Sequence, residues 1–361
     1  MNRKVILGMS GGVDSCVAAH LLKEKGYDVL GVTFKVWPKS LCGTHDSKNC
    51  CSVDAITDAR TTCAKLNIPH YVIDCQKEFK KLVIDDFLSS YVEGKTPNPC
   101  IICNERIKFP LLLKKARETK SAFIATGHHA RSVYSKASKQ FFIREGKDKN
   151  KDQSYVLFGL NQNILSKLLL PVGDYTKPNI RSIAEKLGLK VSQKRESQEI
   201  CFVVDDDLGR FLKENLKPAI KPGLIKDKSG KVLGEHAGTC FFTIGQRKGL
   251  RIPYGKPIYV TSINHSNGDI IVGEHKETLK SSLTAEKVTW IKDSSNKSQI
   301  IADVKIRYKD SKTKATIKRL SSRRCQVDFK IPVSSPTPGQ AVVFYQRGSV
   351  IGGGWIMAAL A

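Results

Sequence analysis

Two groups of residues along this chain carry the elements of chemistry. One is Ser10-Gly-Gly-Val-Asp-Ser15; the other is a set of thiols, Cys100-Ile-Ile-Cys103 with a third at Cys201. The first group follows an apolar run, Val5 to Met9, and opens onto a helical segment, Cys16 to Lys25. Gly11 and Gly12 let the backbone turn without Cβ clashes. Successive amide N–H groups and the hydroxyls of Ser10 and Ser15 then converge on an oxyanion at the positive end of the helix. Asp14 is placed to help position a magnesium ion. Neither G-x-x-x-x-G-K-[ST] nor a post-strand G-x-G-x-x-G occurs, so the phosphate cradle predicted here is of another kind.

The thiols Cys100 and Cys103 sit in Thr96-Pro-Asn-Pro-Cys-Ile-Ile-Cys-Asn104, which reads as a Pro-rich loop near a surface. An unperturbed thiol titrates near about 8.5, so a nucleophile here needs nearby cations, and Arg106, Lys108 and His128 are the candidates to supply them. Cys-x-x-Cys serves structural zinc, dithiol redox and iron–sulfur sites alike, and no second pair at zinc spacing accompanies it. Cys201, in Glu196-Ser-Gln-Glu-Ile-Cys-Phe202, is expected on a mobile loop that swings back over the site. Cys42, His45, Cys50 and Cys51 form a sulfur-rich stretch that does not match a standard zinc spacing and reads as a loop closing on a nucleotide. Cys16, Cys63, Cys75, Cys240 and Cys325 stand singly among apolar or helical residues and read as packing groups.

The elements that must position these residues alternate. Strand-like runs at Val5 to Met9, Val29 to Phe34, His70 to Ile73 and Phe123 to Gly127 are interleaved with helical segments at Cys16 to Lys25, Ser52 to Leu66, Phe79 to Glu93 and Phe109 to Glu118. That rhythm predicts an α/β fold with a doubly wound, mostly parallel sheet and ligands at the carboxyl ends of its strands. A further helix, Asn179 to Leu187, has Thr176-Lys-Pro178 as its entry. This domain is expected over residues 1–198. Turn chemistry in Ile225 to Val232 and Ile263 to Val272 marks hairpins of a small β-rich central domain, 199–275, carrying the Cys201 loop. Six strand-like runs follow, Thr284 to Ile291, Gln299 to Tyr308, Lys314 to Leu320, Arg324 to Phe329, Ala341 to Tyr345 and Val350 to Ile356. They predict a C-terminal β-barrel over 276–361.

Lys and Arg number 60 against 34 Asp and Glu, a formal charge of +26, which points to a polyanionic partner. The excess persists from Lys276 onward, with 16 basic against 6 acidic residues, so the last domain is expected to grip a polyanion. No secretory apolar segment and no run of 18 apolar residues is found, and 11 cysteines in a lysine-rich chain do not suggest a disulfide framework, so a cytosolic protein is predicted.

The loop Gly8 to Ser15 resembles the SGGxDS loop of the N-type ATP pyrophosphatases, which adenylate a substrate oxygen and release pyrophosphate. With Cys50-Cys-Ser52, Thr96-Pro-Asn-Pro99, Cys103-Asn104, Thr126-Gly-His-His-Ala-Arg131, Lys151-Asp-Gln-Ser-Tyr155, Glu199-Ile-Cys-Phe202, Thr243-Ile-Gly-Gln-Arg-Lys-Gly249 and Pro338-Gly-Gln340 in the same order, nearly the whole chain resembles the tRNA-specific 2-thiouridylase family. That resemblance implies replacement of the C2 oxygen of the wobble uridine by sulfur in tRNAs for lysine, glutamate and glutamine. It implies ATP on Gly8, Met9, Ser10, Gly11, Gly12, Val13, Asp14, Ser15, Phe34 and Gly127. Cys103 is then the nucleophile and Cys201 the persulfide carrier, with a Cys103–Cys201 disulfide left for a reductant. Asn98, Pro99 and Cys100 would meet the base, and His128, Lys151, Asp152, Gln153, Arg307, Tyr308 and Gln340 would touch the tRNA. A cysteine desulfurase or sulfur relay protein is the implied donor.

Cys100 departs from the aspartate, a proposed general base, found in one branch of that family. Two routes therefore stay open: the persulfide scheme, or a four-iron cluster held by Cys100, Cys103 and Cys201 that passes sulfide to the activated base. A small-molecule ligase sharing the loop would not need the thiols, and a non-catalytic RNA-binding protein would leave the loop idle.

Overall fold

The computed structural model describes residues 2–36, 53–194, 200–203, 206–217, 220–291 and 298–360. The stretch with Cys42, His45, Cys50 and Cys51, and Glu196 to Glu199 ahead of Cys201, lie outside the described residues. The chain packs as two units, one of Met1–Ile84, Pro99–Asp206 and Arg347–Ile351, the other of Asp85–Asn98, Asp207–Gln346 and Gly352–Ala361.

In the first unit the centre of β1 (Lys4–Gly8) is wholly apolar, with Val5, Ile6 and Leu7 fully buried, as a parallel strand covered on both faces requires. With β2 (Asp28–Lys35), β3 (His70–Asp74), β4 (Phe123–Thr126) and, beyond the hairpin β5 (Ala130–Ser135) and β6 (Gln140–Glu145), the short β7 (Leu168–Leu169), it forms a parallel sheet in the order β3-β2-β1-β4-β7. The order reverses between β1 and β4. The carboxyl ends of these two strands therefore form the crevice in which such sheets bind ligands. Helix α1 (Val13–Glu24) packs against α2 (Val53–Lys65), and its Val13, Cys16, Val17, Ala18, Leu21 and Leu22 are buried in one core with Val5, Leu7, Ala59 and Cys63.

Between the later strands lie α3 (Pro99–Cys103), α4 (Phe109–Glu118) and α5 (Lys177–Lys186). The stretch expected as a single helix, Phe79 to Glu93, is a short helix Gln76–Phe79, a π-helical turn Lys80–Ile84 and a helix Asp85–Val92. Phe79, Val83, Phe87 and Tyr91 are all buried, and a strict spacing of four overshoots the 3.6-residue turn; one wide turn absorbs the excess.

In the second unit, Phe87 meets Phe211 of the helix Leu208–Leu216 with ring centroids 6.3 Å apart. The predicted hairpins appear as β8 (Gly223–Lys226) with β9 (Val232–His236) and β10 (Tyr259–Ile263) with β11 (Ile270–Gly273), joined in a sheet β10-β11-β8-β9. The six predicted C-terminal strands are β12 (Leu279–Trp290), β13 (Gln299–Lys305), β14 (Thr313–Ser321), β15 (Arg324–Ser334), β16 (Ala341–Gln346) and β17 (Ser349–Leu360). They run β12-β15-β14-β13-β16-β17, and β12 also pairs with β17, which closes a barrel and leaves no open edge among them.

Candidate active site

The turn after β1 has the geometry of an anion cradle. Gly11 has φ +69°, and a Cβ there would lie 2.0 Å from the carbonyl oxygen of Ala55, so glycine is required on both counts. Gly12 caps α1 without a side-chain hydrogen bond to its first turn, which leaves amide donors at the positive helix end. The Ser10 and Ser15 hydroxyls lie 3.2 Å apart, and Ser15 Oγ donates to Gly12 O at 3.0 Å. Gly127, at the end of β4, packs so closely that a Cβ would lie 2.7 Å from Ser15 N. Phe34 stands near the carboxyl end of β2, in register with Ile73. The glycine-rich turn and Gly127 thus stand at the switch point of the sheet, and Phe34 stands at the carboxyl end of the neighbouring β2.

Asp14 is the electrostatic centre of this cradle. Its Oδ1 lies 2.9 Å from His129 Nε2, and Lys177 Nζ is 2.7 Å from both carboxylate oxygens. Burial alone would raise the Asp14 pKa, but the His129 hydrogen bond and the Lys177 charge outweigh it and hold the carboxyl below its usual range. His129 in turn exchanges main-chain and side-chain bonds with Gln153: its N–H donates to Gln153 Oε1 at 2.9 Å, and Gln153 N–H donates to its carbonyl at 2.8 Å. Gln153 thus holds the main chain of His129, while the buried His129 imidazole and Lys177 both hold Asp14. The magnesium expectation rests on an Asp14 carboxylate whose two oxygens are engaged by an ammonium and an imidazole; a metal would have to displace them, so no step is routed through one.

Lys177 escapes sequence reading as a functional residue. Its signal is a cation in the first turn of α5, where the helix dipole disfavours it, yet the residue is only 6 % exposed.

His128 does not supply the positive charge expected of it. Burial, followed by the neighbouring charges of Lys108 and His129, pushes its imidazole down to about 3, so the ring is neutral where it stacks on Phe109.

The Cys-x-x-Cys segment is helical, contrary to the loop expectation, because Pro99 begins α3 at a position where its missing N–H costs nothing. Cys100 is exposed and Cys103 buried, and Asn104 Nδ2 anchors the following turn on Val156 O at 3.0 Å. Cys201 is half-buried; its neighbour Phe202 is fully buried, edge-on to Phe79 with centroids 6.0 Å apart. Cys75, expected as a packing residue, is buried, and burial pushes its thiol up to about 12. Among the described residues no three His, Cys, Asp or Glu side chains are placed to hold a metal ion. The cluster expected on Cys100, Cys103 and Cys201 is thus unsupported: α3 buries one thiol and exposes the other, and no step is derived through iron.

Several residues expected at the RNA also make contacts within the protein. Asp152 is buried, accepting from Gly146 N–H at 2.9 Å and from the Ser154 hydroxyl at 2.7 Å. In the second unit, Gln340 Nε2 donates to Thr96 O at 2.9 Å, Thr96 N–H donates to Pro338 O at 2.8 Å, and Thr96 Oγ1 lies 3.2 Å from Thr243 Oγ1. Arg307 donates to Ser335 O and Thr337 Oγ1, and Lys305 Nζ sits 5.9 Å from the centre of the Tyr308 ring. The stretch leading to Asn98 is thus fixed at Thr96.

A glycine-rich anion cradle at the switch point of a parallel sheet, with a buried lysine and, in the same unit, a thiol-bearing helix, defines a nucleotide-binding domain of the ATP pyrophosphatase type followed by two β domains. Family models described as tRNA methyl transferase HUP domain, tRNA methyl transferase PRC-barrel domain and aminomethyltransferase beta-barrel domain match residues 3–205, 209–274 and 280–356. The tRNA-specific 2-thiouridylase MnmA of Clostridium acetobutylicum is 45% identical over 356 residues, covering 99% of this chain and 100% of that protein. Its namesake from Geobacter metallireducens is 45% identical over 361 residues, with 99% and 98% covered. The chain belongs to the tRNA-specific 2-thiouridylase family. Among solved structures, a 4-thiouridine synthetase–RNA complex with bound ATP is similar at TM-score 0.36 and 19% identity, covering 60% of this chain and 51% of that one. No helix among the described residues is long and apolar enough to cross a membrane.

Proposed function

We propose that the chain replaces the C2 oxygen of the wobble uridine by sulfur in tRNAs for lysine, glutamate and glutamine, consuming ATP and releasing AMP and pyrophosphate in the cytoplasm. The observation that carries this reading is the presence, in one α/β unit, of a built phosphate cradle and a helix bearing a buried thiol. Gly8 to Ser15, Phe34 and Gly127 hold ATP. Lys177 brings a buried ammonium to the loop and, with His129, fixes Asp14. Any magnesium would arrive with ATP, where it would supply charge shielding of the phosphates.

The uridine O2 attacks the α-phosphorus, the α–β bond breaks and pyrophosphate leaves. Cys201 carries a sulfane sulfur as a persulfide delivered by a cysteine desulfurase or relay protein. Cys103 thiolate attacks Cys201 Sγ, the S–S bond of the persulfide breaks, and the released sulfide adds to C2 and expels AMP with the original oxygen. A Cys103–Cys201 disulfide remains, and an external dithiol reopens it. Asn98, Pro99 and Cys100 face the flipped base, with His128, Lys151, Gln153, Arg307, Tyr308 and Gln340 on the RNA side and Asp152 ordering the loop from within. Incubation of a lysine tRNA transcript with ATP and a persulfide donor, read on a mercury-containing gel, tests this reading. ATP-dependent retardation supports it; pyrophosphate release with an amine acceptor and no RNA would replace it with a ligase.

A further inference from the structure

The Thr243-to-Gly249 motif has no part in the chemistry above, yet it is built with care. Gln246 spans its own loop, accepting from Thr243 N–H at 3.0 Å through Oε1 and donating to Lys248 O at 3.0 Å through Nε2. Gly245 N–H donates to Val260 O, and Val260 N–H to Gln246 O, at 2.8 and 2.9 Å. Gly245, Gly249, Arg251 and Gly255 all have positive φ, and for Arg251, at +53°, that conformation is strained for an L side chain, so the loop is held in one shape by its surroundings. Leu250 and Ile258 are buried in the core of the central sheet and fix both ends of the segment.

What this shape presents is positive charge. Arg247, Lys248, Arg251 and Lys256 are exposed, and the sequence from His236 to Gly268 contains no Asp or Glu. Arg247, Arg251 and Lys256 border a groove of about 300 Å³ with Leu250, Pro257 and Ile258. Lys256 is ion-paired with Glu274, and among the described residues Arg247 and Arg251 have no acidic partner. Two guanidinium groups on a rigid loop match the forked geometry of phosphate oxygens, and the open trough suits a continuous backbone.

We propose that this groove of the central β domain is a phosphodiester-binding site that holds the backbone of the substrate tRNA, with Arg247 and Arg251 as its phosphate ligands. This rests on the thiouridylase reading. It adds phosphate contacts, which contribute affinity and register without reading sequence.

The test is binding of an unmodified lysine tRNA transcript by fluorescence anisotropy across 50 to 250 mM potassium chloride, with the intact protein and with R247Q/R251Q and R247K/R251K. For R247Q/R251Q the affinity should fall at least tenfold at the lower salt concentrations, and the slope of log K against log salt should drop by about 1 to 2. R247K/R251K should keep the slope, since the charges remain, and lose part of the affinity. Melting midpoints of the variants confirm that they fold. Unchanged affinity and slope in R247Q/R251Q, while the parent thiolates tRNA, overturns the groove alone. Loss of sulfur-donor protein binding with tRNA binding intact also overturns it and makes the groove a protein dock. A parent that neither binds nor thiolates tRNA overturns the underlying function.

Discussion

Lys177 Nζ stands 2.7 Å from both oxygens of Asp14, joining residues 163 positions apart at the mouth of the phosphate cradle. Together with the His129 hydrogen bond, the pair keeps a partly buried carboxylate charged beside a loop meant for an anion. Lys177→Met should raise the Asp14 pKa and leave a carboxylate that repels polyphosphate. RNA-dependent pyrophosphate release is expected to fall about 100-fold, with Lys177→Arg recovering part of the loss. Undiminished release by Lys177→Met would remove the ammonium from the account.

Glu105 offers a pH signature. Burial pushes its carboxyl up to about 7, with Arg106 opposing only in part. A carboxyl whose folded pKa lies above its unfolded value stabilises the fold at low pH, and that contribution is lost as pH rises from the unfolded pKa through about 7. Glu105→Gln should therefore match the parent near pH 4 and be more stable at pH 8, by at most about 3 kcal/mol. Denaturant unfolding at the two pH values checks the sign; equal effects at both would show that Glu105 titrates normally.

The clamp on Thr96 predicts two graded losses. Gly339 has φ +88°, and a Cβ there would lie 2.8 Å from Lys95 Cβ and 2.9 Å from Thr96 N, so Gly339→Ala should cost about 2 to 3 kcal/mol. Gln340→Ala removes one hydrogen bond to Thr96 O and should cost about 1 kcal/mol. Thermal melting resolves the two, and the reverse ranking would contradict the close backbone approach.

The two thiols of α3 differ in access: Cys100 is exposed and Cys103 is 7 % exposed. Iodoacetamide mapped by peptide mass should label Cys100 at least tenfold faster than Cys103. Cys103→Ser should abolish thiolation while pyrophosphate release continues, since adenylation precedes sulfur transfer. Loss of both activities together would give Cys103 a role in ATP binding instead.

Much of this was legible along the chain wherever local rules agree. The segment Phe109 to Glu118 is a helix with the predicted bounds, and all six C-terminal strands appear, because periodicity and turn chemistry act within a few residues. Other features were hidden. The β5–β6 hairpin turns through Lys136 to Lys139, where Lys139 takes φ +51° without the Gly or Asn that marks such a turn. The Pro-Asn-Pro run concealed α3, since proline punctuates loops and also starts helices. Within the site, the cradle glycines were readable from their spacing, but Lys177 on Asp14 and Gln340 on Thr96 are long-range pairings that no local pattern encodes.

Whether ATP activates the uridine C2 oxygen itself can be read from an isotope placed on that atom. A lysine tRNA transcript made with uridine carrying ¹⁸O at O2 would be thiolated, and the AMP analysed by mass spectrometry. One heavy oxygen in AMP is expected for each 2-thiouridine formed. Unlabelled AMP alongside thiolated RNA would contradict it.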